Sequence, residues 1–203
     1  MMLTTDNPTV NTELGSTSMM TINVDAANFT GPVNLVASII NATTMAPIPG
    51  WSVTLANPTV NVTADGMTPI VATLTIPSEN TSGELTGQVK IDATSTMGTT
   101  SITSTVTALN QVTITVAANG NQCAYPANDT TVKVGTKVRF LNKTADDFII
   151  HSGDAIPHQD VNTPTLVDGA YEHTVAEAGT ANWYCHSPGP NLQGANPSVI
   201  VVP

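Results

Sequence analysis

Apolar residues recur at every second position through most of the chain, and no stretch holds a helical period for more than a turn. A period of two puts successive side chains on opposite faces of an extended strand, so the chain is restricted to sheets with one buried and one wetted face. In the first half the pattern is carried by Met20-Thr21-Ile22-Asn23-Val24 and by residues 33–37, 51–55, 60–62, 70–76, 87–93 and 101–108. Turn-forming clusters separate these runs: Thr30-Gly31-Pro32, Pro49-Gly50, Ala64-Asp65-Gly66 and Asn80-Thr81-Ser82-Gly83. Short strands at this spacing, without helices, predict an antiparallel β-sandwich. The pattern pauses at Leu109-Asn110-Gln111 and restarts, dividing the 203 residues into a domain over 1–110 and another over 111–203. The expected fold class is therefore all-β, two antiparallel β-sandwiches in tandem. So short a joint leaves little slack and predicts a preferred orientation between them.

Charged residues make up only 10% of the chain, and Thr, Ser and Asn take their place on the polar strand faces. Thr is β-branched and suits a pleated strand. The net charge of −10 leaves five basic residues, Lys90, Lys133, Lys137, Arg139 and Lys143. Such a chain repels phosphate backbones, which excludes nucleic acid and anionic membranes as expected partners. No apolar run approaches the roughly 18 residues needed to cross a bilayer, so no membrane insertion is expected. The start, Met1-Met2-Leu3-Thr4-Thr5-Asp6, has neither the basic region nor the apolar stretch of a signal peptide.

The first domain has no Cys or His, and its carboxylates are scattered, so it offers no metal site of that kind and no nucleophile–base pair. Trp51 reads as a core anchor or, if exposed, as a stacking platform for a sugar. The segments Phe29-Thr30-Gly31-Pro32-Val33-Asn34-Leu35, Pro49-Gly50-Trp51-Ser52-Val53 and Leu74-Thr75-Ile76-Pro77 resemble the immunoglobulin-like modules of bacterial and archaeal surface proteins. The resemblance spans residues 15–108.

The second domain opens with Val112-Thr113-Ile114-Thr115-Val116. Residues 131–142 follow, with Val134-Gly135-Thr136 as a tight turn, then residues 171–175, 179–185 and 198–202. The run V-x-x-G-x-x-V-x-F-x-N over 132–142 and the segment Gly179-Thr180-Ala181-Asn182-Trp183-Tyr184-Cys185 are similar to the cupredoxin family, of the plastocyanin and azurin type. That resemblance implies a Greek-key sandwich holding one copper ion for electron transfer. Its usual ligands are a His after the F-x-N strand, a Cys ending a later strand, a His just beyond it and a weak axial Met or Gln.

The chain departs from that pattern at the ligands. Pro188 and Pro190 stand where the His after Cys185 belongs, and every Met lies at or before Met97. Ala195 is near the axial place, with Gln193 the one substitute in reach. The upstream ligand position falls near Phe148, with His151 three residues on. The candidate metal ligands are therefore His151, His158, Cys185 and His186, with copper as the cofactor the resemblance implies. Adjacent strand residues point to opposite faces, so Cys185 and His186 share one metal only if the strand has already turned.

Three readings stay open. One is a remodelled copper site using His151, Cys185 and either His158 or His186. The second is a Cys123–Cys185 disulfide, which closes a 62-residue span and stabilises by roughly 3–4 kcal/mol in the chain-entropy model. The third is a buried free thiol. His173 shares a strand face with Tyr171 and Val175 and reads as an ordinary packed or surface residue. Asp146, Asp147 and Asp154 read as solvated turn residues. The sequence contains no nucleophile elbow, phosphate-binding loop or zinc spacing.

The expected function is non-enzymatic: a structural or assembly protein of an extracellular, cell-surface or virion location, its partners being copies of itself or other surface proteins. The alternative is a copper-binding electron-transfer or copper-handling protein with a Cys/His site. A third is a carbohydrate binder with Trp51 or Trp183 exposed.

Overall fold

The computed structural model describes residues 1–119, 122–124, 128–186 and 197–203. Every regular element among them is a strand, as the period-two pattern requires. The chain forms two compact units, Met1–Thr12 with Ser16–Leu109, and Glu13–Gly15 with Asn110–Pro203. Pro188, Pro190, Gln193 and Ala195 lie outside the described residues.

The first unit holds β1 (Met2–Thr5), β2 (Thr9–Glu13), β3 (Thr17–Asp25), β4 (Gly31–Ile40), β5 (Ser52–Leu55), β6 (Thr59–Val62), β7 (Met67–Thr75), β8 (Thr86–Ser95) and β9 (Gly98–Leu109). They form a four-stranded sheet, β1-β3-β7-β5, and a five-stranded sheet, β2-β9-β8-β4-β6. Alternation fills the core. Met20, Ile22 and Val24 of β3 and Ile70, Ala72 and Leu74 of β7 are buried, as are Val33 and Leu35 of β4 and Val89, Ile91 and Ala93 of β8. The intervening residues are exposed or half-exposed along most of these strands. Trp51 is a core residue at 7% exposure, and its indole N–H donates to Asn80 Oδ1 at 3.3 Å. Asn80 takes a positive φ of 43°, which Asn tolerates better than most residues.

The second unit holds β10 (Gln111–Asn119), β11 (Gln122–Ala124), β12 (Thr130–Lys133), β13 (Lys137–Lys143), β14 (Ile149–His151), β15 (Ala170–Thr174), β16 (Gly179–Asn182), β17 (Tyr184–His186) and β18 (Ser198–Val202). Its sheets run β11-β10-β13-β15 and β12-β18-β16, with a separate β14-β17 ladder. These sheets are mixed rather than wholly antiparallel: β10 pairs with β13, and β12 with β18, in parallel. The cause lies in the turn at Val134-Gly135-Thr136, where Gly135 takes φ +90°. It passes the chain from β12 in one sheet to β13 in another, so the two strands it joins do not pair and each finds a parallel neighbour elsewhere.

A second crossing occurs at Trp183. β16 pairs with β18, but β17, one residue later, pairs with β14. Trp183 is 1% exposed and packs edge-on against Phe140, ring centroids 4.8 Å apart. With both tryptophan rings in the cores, neither offers a stacking platform, and the carbohydrate-binding expectation falls with them.

Candidate metal centre

The β14–β17 ladder positions the candidate residues. Its antiparallel register sets Ile149 opposite His186, Ile150 opposite Cys185 and His151 opposite Tyr184. Opposed residues share a face, and successive ones alternate. Ile150 and Cys185 therefore point to one side, where both are fully buried. His151, Tyr184 and His186 point to the other, where all three are half-buried.

Cys185 is joined to Cys123 of β11, the Cα atoms 6.2 Å apart, inside the range a disulfide spans. This corrects the reading of Cys185 as a copper ligand. Its sulfur is bonded to another sulfur and has no thiolate to offer. The strand also runs straight through Cys185 and His186, so the two side chains leave on opposite faces and cannot meet at one ion. Phe148, at the upstream ligand position of the resemblance, is a core residue at 1% exposure.

On the wetted face three imidazoles meet. His151 Nε2 contacts His186 Nε2, the ring centroids 4.3 Å apart and the planes tilted by 34°. His151 Nδ1 faces His158 Nε2 at 2.5 Å, ring edge against ring face. The His151 ring also stacks on Tyr184, centroids 4.7 Å apart and planes within 6°. His173 stays apart on β15, opposite Val138.

His158 reaches this cluster through a loop that the core holds down. Ile156 is fully buried, and the Tyr171 hydroxyl donates to the Pro157 carbonyl at 2.9 Å. Buried Gln159 closes the loop onto β14: its backbone N–H donates to the Ile150 carbonyl, and its side-chain oxygen accepts from the Ile150 N–H, each at 3.0 Å. Its amide nitrogen donates to Thr163 O at 2.6 Å and Thr165 Oγ1 at 3.0 Å. Nothing in the composition of residues 152–159 signals this docking. Gln159 performs it, and a single polar residue in a loop carries no sign of its burial.

Burial, then the neighbouring His158 and His186, lowers the His151 pKa from 6.5 to about 4, so His151 is neutral at ordinary pH. Among the described residues no three His, Cys, Asp or Glu side chains gather as a metal-holding group. The trio explains why: His151 directs its two nitrogens to different partners, and the three rings form a chain rather than a tripod.

No protein-family model matches the chain. No curated protein matches it either. Among solved structures it is similar to the E. coli chaperone DraB, at 10% identity and a TM-score of 0.38, over 90% of this chain and 88% of that one. It is similar to a chain from the Salmonella enterica SafA pilin in complex with the SafB chaperone, at 10% identity and a TM-score of 0.37, over 98% and 96%. It is also similar to the titin domains z1z2 in complex with telethonin, at 13% identity and a TM-score of 0.30, over 98% and 95%. Likenesses at this level establish neither a family nor a function.

Proposed function

We propose that the chain is a non-enzymatic structural or assembly protein of an extracytoplasmic or particle surface, and that copies of it meet through the outer face of the β1-β3-β7-β5 sheet. One observation carries this reading. The register aligns Met2, Asp25 and Met67 in one row across that face, and Thr4, Asn23 and Pro69 in the next. Thr21 and Val71 form the third row, and Met19, Thr73 and Thr54 the fourth. Met2, Met19, Met67 and Val71 are exposed by 54%, 70%, 65% and 40%. Asp25 is the one ionisable residue in these rows.

A chain with a net charge of −10 repels its own copies over most of its surface, and a face that exposes three Met and a Val beside a single ionisable residue is where they can approach. The Cys123–Cys185 bond supports an oxidising location. The copper-thiolate alternative loses its donor to the same bond.

Light scattering on the full chain over a range of concentrations tests the proposal. Self-association is expected, and Met67→Lys with Val71→Lys should abolish it by burying like charges at the contact. A monomer at every concentration, or assembly indifferent to both lysines, would sink it.

A further inference from the structure

We infer that Met2, Met19 and Met67 are oxidation sites, and that converting their thioethers to sulfoxides dissolves the contact between copies. The inference rests on the self-association proposed above and concerns what turns it off.

The oxidisable groups of the chain point to these three residues. Both cysteines are joined to each other, so no thiolate intercepts an oxidant. The two indoles are buried. Methionine sulfur is then the softest nucleophile left to solvent. Methionine ordinarily packs inside a fold, yet Met2, Met19, Met45, Met67 and Met97 are all more than half exposed. Met45 lies in the loop after β4 and Met97 in the β8–β9 turn, away from the proposed contact.

The register spreads the other three over the face. Met2 and Met67 flank Asp25 in the first row, and Met19 stands in the fourth. Along β3 those rows are separated by the rise from Met19 to Asp25, about 20 Å of strand. A contact that covers the face therefore buries a thioether at each end. The rest of the rows hold only Thr, Asn, Pro, Val and Asp25, none of which peroxide attacks. Met20, next to Met19 in sequence, points to the opposite side and is 2% exposed, so it is shielded.

The step is a two-electron oxygen transfer from hydrogen peroxide. The sulfur lone pair attacks one peroxide oxygen, the O–O bond breaks and an S–O bond forms. The departing hydroxide takes the proton of the transferred oxygen and leaves as water. Sulfur is oxidised to the sulfoxide, peroxide is reduced, and the chain gains one oxygen without a change of charge. The sulfoxide oxygen is a polar acceptor where the thioether was apolar, and a contact that buries it must strip it of water. In the separate chain the same oxygen stays hydrated. The three side chains contribute little to the core, so the fold is spared while the contact is lost.

The test is light scattering on the full chain before and after mild hydrogen peroxide, with peptide mass mapping of each methionine. Sulfoxide is expected at Met2, Met19 and Met67 well before Met20, with self-association weakened at least about tenfold and Trp51 fluorescence unchanged. Raising the protein concentration should slow oxidation of these three, which assembly covers, and not of Met45 or Met97. The triple variant Met2→Leu, Met19→Leu, Met67→Leu keeps an apolar face that peroxide cannot attack, and should associate before and after treatment alike. Met45→Leu with Met97→Leu should leave the sensitivity intact. An untreated chain that is monomeric at every concentration overturns both the self-association and its switch. Association that persists with the three sulfoxides in place overturns the switch alone. Equal peroxide sensitivity in the triple variant also overturns it, as does oxidation of Met20 at the same rate as the other three.

Discussion

The two faces of the β14–β17 ladder are one residue apart in sequence and opposite in chemistry. On one, Ile150 and Cys185 are fully buried, and a disulfide takes the only reactive atom. On the other, His151 and His186 are half-buried and bring ring nitrogens together within reach of solvent. The difference shows that a strand of three residues can carry a disulfide on one face and an imidazole cluster on the other, provided they alternate. It also shows why adjacent Cys and His are poor evidence for a shared metal in an extended segment.

Breaking the buried face should give the largest effect. Cys185→Ser removes a cross-link closing 62 residues and should destabilise the second unit by about 4 kcal/mol. Trp183 reports that unit and Trp51 the first, so denaturant unfolding followed by fluorescence in Trp51→Phe and Trp183→Phe backgrounds separates them. Equal losses in both units would contradict the assignment of the bond to the second. Ile150→Ala, on the same face, should cost about 3 kcal/mol through its cavity, read by the same unfolding curves.

The wetted face should respond more weakly, and to pH. His151 has a folded pKa of about 4 against 6.5 in an unfolded chain, so the unfolded state binds the proton first as pH falls. Stability should be full above about pH 6.5 and decline toward pH 4. A fully buried ring would lose about 3 kcal/mol over that window. This one is half-exposed, and solvent screening reduces the loss to about 1 kcal/mol. His151→Ala should flatten that slope while costing less than about 1 kcal/mol at neutral pH, mostly the cross-strand contact with Tyr184. A slope unchanged by the substitution would place the titrating group elsewhere.

The long strands were legible because alternation is a two-body constraint repeated many times, as in β3, where Met20, Ile22 and Val24 all face inward. β1 and β2 were not, since Leu3 and Val10 are their only core hydrophobics and one residue makes no period. β14 was hidden for another reason: Phe148, Ile149 and Ile150 are all buried, so the run does not alternate at all. At the candidate site the residue types were visible, but their grouping was not. Whether Cys185 and His186 diverge depends on where β17 ends, and the position of His158 depends on Gln159 folding its loop back onto Ile150. Both are tertiary facts. Neither leaves a mark on local composition.

The bond between Cys123 and Cys185 also has a mechanical meaning. In the surface role proposed above the chain would be pulled, and an unfolding chain lengthens by about 3.3 Å for each residue released. The stretch from Cys123 to Cys185, a sequence separation of 62, is withheld from that lengthening. About 200 Å of contour length therefore stays locked under load, and only what lies outside the tether can pay out.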